Sequence, residues 1–180
     1  MIRKVNGYDK LSDLIASLQG PGVLAPSPTV EIEKDAPSSK PDSPWLVSED
    51  KSPIDDSPRV ILSNYESQLS LFLRCSEDTT SIYVRADDYL GGDDSISAQL
   101  RIGSGKSETV LWRVSTNSRA FGLWRANHSI PFIKRLLDQP TLTVRVTPYR
   151  ENTITEVFDI SGLRENIPPL AEACHWNIDQ

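Results

Sequence analysis

The residues best suited to chemistry in this chain are paired carboxylates, one lysine-bearing glycine turn, two histidines and two cysteines. Asp55 with Asp56, Asp87 with Asp88, and Asp93 with Asp94 place adjacent oxygens at separate points of the chain. Such oxygens could gather around calcium, but EF-hand spacing is absent. The Asp, Gly and Ser of "DDYLGGDDS" equally suit a loop, because Asp side chains bond nearby backbone. Solvated turns and no metal site are the expectation. "GSGKS", Gly103 to Ser107, resembles the end of a phosphate-binding loop, yet the full pattern needs a glycine where Leu100 stands. It also needs a helix to follow, so that the helix N-terminus meets the phosphate. "ETVLWRVS" follows instead and alternates like a strand, so the glycines read as a hairpin turn.

His128 and His175 have no metal or nucleophile partner in sequence, and no nucleophile elbow surrounds any Ser. No CxxC and no Cys/His cluster occurs. No catalytic residues and no cofactor are expected. The enzymatic reading that survives is a hydrolase whose site is assembled in space, in a deep pocket joining His128 or His175 to an acid and a nucleophile.

Cys75 lies on the apolar side of "LSLFLRC", and Cys174 lies on the apolar side of the last helical segment. Both point toward one core. In an oxidising compartment they can pair and tie the carboxyl end to the sheet. A closed loop of about 100 residues is worth roughly 4–5 kcal/mol in the chain-entropy model. In a reducing compartment they serve as small buried hydrophobes.

The elements that must position these residues are mostly strands. From Trp45 onward the apolar pattern has period two, as half-buried antiparallel strands require. Leu69, Leu71, Leu73 and Cys75 share a face, as do Ile82, Val84 and Ala86. Ile96, Ala98, Leu100 and Ile102 form another set, followed by Val110, Trp112 and Val114. Leu142, Val144 and Val146, then Ile154, Phe158 and Ile160, complete the series. In "WLVSEDKSPIDDSPRVIL", Pro53 and Pro58 fix φ, while Asp55, Asp56 and Ser57 can bond the turn's own backbone. The expectation is a structural hairpin with Trp45, Val47, Val60 and Leu62 on one buried face. Two helical segments interrupt the strands. "HSIPFIKRLLDQP" offers Ser129 as N-cap and Pro131 in the first turn. A second helix starts near Asn166, ahead of Pro168 and Pro169.

The fold expected is mainly β: an antiparallel β-sandwich-like domain with two short helices, preceded by a short helix and a Pro/Ser-rich linker. Residues 1–20 carry the short amphipathic helix, with Leu11, Leu14, Ile15 and Leu18 on one face. It is either docked on the main domain or a docking motif for a partner. Residues 21–44 form the linker, residues 45–176 the β domain, and 177–180 a tail.

The chain has 180 residues and a formal net charge of −6. That charge opposes nucleic acid and anionic membranes as partners. No apolar run approaches the ~18 residues of a spanning helix. Asp9, Lys10 and Asp13 interrupt any signal-peptide core, so the chain as written is expected to stay in the cytoplasm.

Several segments together resemble one family. They are "WLVSEDKSPIDDSPRVIL", "LFLRC", "LRI", "LWRVSTNSRAFGLW", "PFIKRLL" and the closing "LTVRVTPYRENTITEVFDISGLRENIPPLAEACHW". The succession is similar to the VasI/TagO family of type VI secretion-associated proteins of Gram-negative bacteria, from about Trp45 to Trp176. "VTPY", "FDISGL" and "ACHW" are its most specific elements. The resemblance implies an exported, non-enzymatic accessory protein of the periplasm, with Cys75 and Cys174 at the family's cysteine positions; given export, the two are expected to form a disulfide. It supplies no catalytic residues. "NGYDKL" echoes the family's "CYD" segment with Gly7 in place of Cys.

The function expected is therefore an accessory or binding protein whose protein partner is a secretion or envelope component. Asp55, Asp56, Asp87, Asp88, Tyr89, Trp124 and Tyr149 are its candidate binding surface. The alternative for those three aromatic rings is burial in the core. The alternative function is a cytoplasmic phage or interbacterial-defence protein that binds a protein partner such as a toxin.

Overall fold

The computed structural model describes residues 43–179. The first strands are β1 (Leu46–Lys51), β2 (Pro58–Tyr65), β3 (Leu69–Ser76) and β4 (Thr79–Ala86). Next come β5 (Ser95–Ile102), β6 (Glu108–Val114), β7 (Ala120–Leu123) and helix α1 (Ala126–Leu136). Strands β8 (Thr141–Val146) and β9 (Ile154–Asp159) follow, then helices α2 (Leu163–Asn166) and α3 (Pro168–Ala173). The helix and linker expected before residue 43 lie outside the described residues.

All nine strands join one sheet in the order β1-β2-β3-β4-β7-β6-β5-β8-β9. Every pairing is antiparallel. The alternating apolar residues decide which side is buried. Leu71, Leu73 and Cys75 of β3, Ile82 and Val84 of β4, Leu100 of β5, and Leu142 and Val144 of β8 enter one continuous core. The sheet curls so that strands far apart in its order, β2 and β9, come together. Side chains join them. Asn64 on β2 is buried and donates through Nδ2 to Asp159 O on β9 at 2.6 Å. Glu156 on β9 accepts from Ser67 Oγ at 2.6 Å and from Gln68 N at 3.0 Å, in the β2–β3 turn. The sandwich-like arrangement is thus one continuous sheet whose halves face each other.

The β1–β2 hairpin follows its residues closely. Val47 pairs with Leu62, and Trp45, Val47, Val60 and Leu62 are all buried. Asp55 Oδ1 accepts from Ser57 N at 3.2 Å and Ser57 Oγ at 2.8 Å. Hydrogen bonds from Ser52 and Ser57 hold the Asp55 carboxyl below its usual range. Asp56 takes a positive φ of 56°, a conformation Asp tolerates better than most residues. Residues 103–107 likewise form the turn between paired β5 and β6.

The helices close the core. Phe132, Ile133 and Leu136 of α1 are buried, with Phe132 edge-on to Trp112 at 5.3 Å. Ser129 is not the cap expected from sequence: Arg125 holds that position without a side-chain bond. Ser129 lies fully buried inside α1, where Oγ donates to Thr80 O at 2.6 Å on β4. Docking to β4 competes with capping for the same hydroxyl, and Pro131 therefore falls inside the helix rather than in its first turn. The carboxyl-terminal helix is two short pieces, because Pro168 and Pro169 start a new first turn in α3. Cys174, just past α3, is bonded to Cys75 on β3, with Cα atoms 5.8 Å apart and a sequence separation of 99.

Candidate functional site

The side of the sheet away from the core has a composition unlike the chain as a whole. Strand pairing places Phe72 and Arg74 of β3, Tyr83 and Arg85 of β4, and Leu111 and Arg113 of β6 at outward positions. Arg101 of β5 and Arg145 of β8 also point outward. From β3 to β8 these arginines are the only charged residues at outward positions. A chain of net charge −6 thus presents guanidinium groups, and no carboxylate, at the outward positions of these described strands.

The rings on this face form a ladder. Tyr65 meets Phe72 edge-on at 5.7 Å, Phe72 stacks on Tyr83 at 5.2 Å, and Tyr83 stacks on Trp124 at 5.0 Å. Cross-strand pairing explains the first steps, since Phe72 lies directly opposite Tyr83. The last step depends on a glycine. Gly122 of β7 pairs with Tyr83 on one side and Arg113 on the other. A Cβ at Gly122 would lie 2.3 Å from Ile82 O and 2.6 Å from Tyr83 Cα. Trp124 bridges the same interval, stacking on Tyr83 while its Nε1 donates to Arg113 O at 2.9 Å.

Arginines flank the ladder. Arg74 has its guanidinium carbon 5.8 Å from the Tyr83 ring centre. Its Nε is buried without a hydrogen-bond partner among the described residues. Burial raises the Tyr83 hydroxyl pKa and Arg74 offsets part of that, so the phenol keeps its proton and can donate. Trp124 walls two open grooves. One of about 740 Å³ runs past Leu111, Arg113, Arg125 and His128. The other, of about 420 Å³, runs past Arg74, Arg85, Asp87 and Arg119. In the second, Asp87 is engaged: its carbonyl accepts from Arg119 Nη1, and its carboxylate lies 4.0 Å from Arg85 Nη2.

The residues expected to form a binding surface separate into groups. Asp87 and Trp124 share a groove. Tyr89 and Tyr149 meet edge-on at 6.2 Å, both about half exposed, with Arg150 5.0 Å over Tyr149. Trp124 is half-buried. Asp88 sits beside these residues in the loop after β4, whereas Asp55 and Asp56 occupy the β1–β2 turn. Strand register puts that turn and that loop at opposite ends of strands β2 to β4, a span on the order of 25 Å. The sequence reading missed Phe72, Tyr83, Arg74 and Arg113. Their signal was present as an aromatic residue followed two positions later by Arg, at Phe72–Arg74 and again at Tyr83–Arg85 on the neighbouring strand.

The groove containing His128 also contains Ser115 and Thr116, and no carboxylate lines it. His175 Nδ1 lies 3.0 Å from Asp78 Oδ1, with both side chains exposed. Among the described residues, no group of three or more His, Cys, Asp or Glu is arranged to hold a metal ion. No helix among them is long and apolar enough to cross a membrane.

Neither a curated protein nor a solved structure matches this chain. A family model does, over residues 8–176, and its description is "Type VI secretion system VasI, EvfG". The match includes the whole β domain, both cysteines and the segments that carry the ladder. The chain therefore belongs to the VasI/EvfG family of type VI secretion system proteins.

Proposed function

We propose that the protein is a non-enzymatic accessory component of type VI secretion, acting in the periplasm by binding a protein partner of the secretion machinery through the face around Trp124. The observation that carries this reading is the pairing of a partly exposed aromatic ladder with arginines, and with no carboxylate at the outward positions of β3 to β8, in a chain of net charge −6. Trp, Tyr and Arg are the residues that dominate protein interfaces. The complementary surface is an acidic segment of the partner, whose carboxylates fit the guanidinium forks. Location in the periplasm is supported by the Cys75–Cys174 bond, which persists in oxidising compartments.

The test is complementation of cells lacking the gene, reading the system's secreted proteins in the medium. Wild type and an Ile54→Ser control, altered in the β1–β2 turn, should restore release. The double variant Trp124→Ser/Arg113→Glu should fail, although present in equal amount with its disulfide formed. Full restoration by the double variant would refute the reading.

A further inference from the structure

A second region of the outer face has chemistry of its own, away from Trp124. It is a groove of about 690 Å³ over β5, β8, β9 and the 103–107 turn. Its polar lining includes Arg101, Lys106, Arg145, Ser107, Thr143 and Thr155, and no carboxylate. Register explains the convergence. Arg101 stands opposite Thr143, and Arg145 stands between Gln99 and Thr155 on its two neighbours. Arg101 and Arg145 are diagonal neighbours, with Cα atoms on the order of 8 Å apart, so both long side chains can reach one group.

Arg145 is held in place by its neighbours. Arg145 Nε donates to Thr155 Oγ1 at 3.0 Å, and Nη1 lies 3.5 Å from Gln99 Oε1. These contacts tie the guanidinium to β9 on one side and β5 on the other, at the wall of the groove. The turn is pinned as well. Gly103 N donates to Thr141 O at 2.8 Å and Gly105 N to Ile102 O at 2.9 Å, which holds Lys106 and Ser107 at the groove wall. Gly103 has a φ of +52°, and a Cβ there would meet Gln139 Oε1 at 2.5 Å. Thr143 Oγ1 is buried with no hydrogen-bond partner among the described residues. A buried hydroxyl left this way is costly unless something supplies its bond.

We propose that this groove is an anion site that takes a tetrahedral phosphate group, held by Arg101, Lys106 and Arg145 with the hydroxyl of Ser107, and by the unpaired Thr143 hydroxyl once its side chain turns about χ1 into the groove. A planar guanidinium fork, a compact ammonium and hydroxyl donors from different directions match an oxyanion with acceptors on every side. The mode is not that of a nucleotide-binding loop, because a strand follows the glycines. The phosphate belongs either to a soluble phosphorylated ligand or to a lipid headgroup, and the chemistry is common to both.

The test uses the full chain with its disulfide intact. Inorganic phosphate is titrated at roughly physiological ionic strength while backbone amide shifts are followed. Gly105, Lys106, Ser107 and Thr143 should shift on one saturable isotherm. Arg101→Gln/Lys106→Gln should weaken it about tenfold or more. Thr143→Val should weaken it without changing the melting temperature much, and Arg59→Gln, paired elsewhere with Asp50, should leave it unchanged. In parallel, the protein is sedimented with phosphatidylglycerol/phosphatidylcholine vesicles and with phosphatidylcholine alone. Phosphate binding without vesicle binding identifies a soluble ligand. Phosphatidylglycerol-dependent sedimentation lost in the double variant identifies a headgroup. The proposal is overturned if neither probe binds saturably, if the double variant binds as wild type does, or if only an acidic peptide moves these amides.

Discussion

Trp124 lies nearly parallel to Tyr83, ring centres 5.0 Å apart and planes inclined by 22°, and it is tied by its indole N–H to Arg113 O. Two contacts on either side of β7 hold a large ring across a strand that has no side chain at Gly122. The ring is thereby ordered before any partner arrives, which lowers the entropy cost of using it in an interface.

This relationship predicts losses of unequal size for two substitutions. Trp124→Ala removes a stacking contact worth roughly 0.5–1.5 kcal/mol beyond its buried area. It should lower stability modestly and abolish part of the near-ultraviolet circular dichroism while the strands persist. Gly122→Ala should be worse, because the new methyl meets backbone of Ile82 and Tyr83 that cannot rotate away. A loss of about 2–4 kcal/mol in denaturant unfolding is expected. Equal stability of Gly122→Ala and wild type would contradict the close approach.

The bond between Cys75 and Cys174 closes the carboxyl-terminal helices onto β3. Reduction, or Cys174→Ala, should cost about 3–5 kcal/mol in urea unfolding, mainly by freeing the unfolded chain. Protein isolated from the periplasm should show no titratable thiol until unfolded and reduced. Two free thiols in native protein would favour the cytoplasmic alternative.

Asn64 joins the two ends of the sheet through Asp159 O. Asn64→Leu removes that bond to Asp159 O, which should cost about 0.5–1.5 kcal/mol. Hydrogen exchange should quicken on β9 more than on β4, since β9 is an edge strand paired only with β8. Uniform acceleration across all strands would mean that the bond does not act as a latch.

Acid should weaken a surface clamp. Arg164 donates to both oxygens of Asp138, at 2.6 Å and 2.7 Å, and a third bond reaches Asp179 at 3.0 Å. The Arg164 bond holds the Asp138 carboxyl below its ordinary value of 3.8. A carboxyl depressed in the folded state adds stability above its unfolded value and loses it as pH falls through the folded one. Asp138→Asn should therefore be less stable than wild type near neutral pH, with the gap closing as both are acidified to about pH 2.5. A gap that stays constant across that range would remove the carboxylate from the explanation.

Period-two alternation made most of the fold legible before any coordinates. Leu71, Leu73, Cys75, Ile82, Val84, Leu100 and Val144 declared the buried face because a strand leaves its side chains only two directions. Alternation says nothing about which strands are neighbours. The place of β7 between β4 and β6 depends on Gly122 admitting a close approach, and a lone glycine does not announce that. The same limit hid the candidate site. Trp124 is visible as an aromatic residue, but its partners Tyr83 and Arg113 lie on strands joined only through β7. Ser129 misled for a different reason. A hydroxyl before an apolar stripe usually caps a helix, and here the carbonyl of Thr80 claimed it.

The central claim is that the Trp124 face is where a secretion partner docks. Its most direct measurement is site-specific photocrosslinking in secreting cells, with the photoreactive residue placed at position 124 or 111, and at position 54 as control. The account predicts a discrete adduct with one acidic component of the secretion machinery from positions 124 and 111, lost with Arg113→Glu and Arg85→Glu, and none from position 54. Adducts from position 54 alone, or adducts at 124 indifferent to both charge reversals, would contradict it.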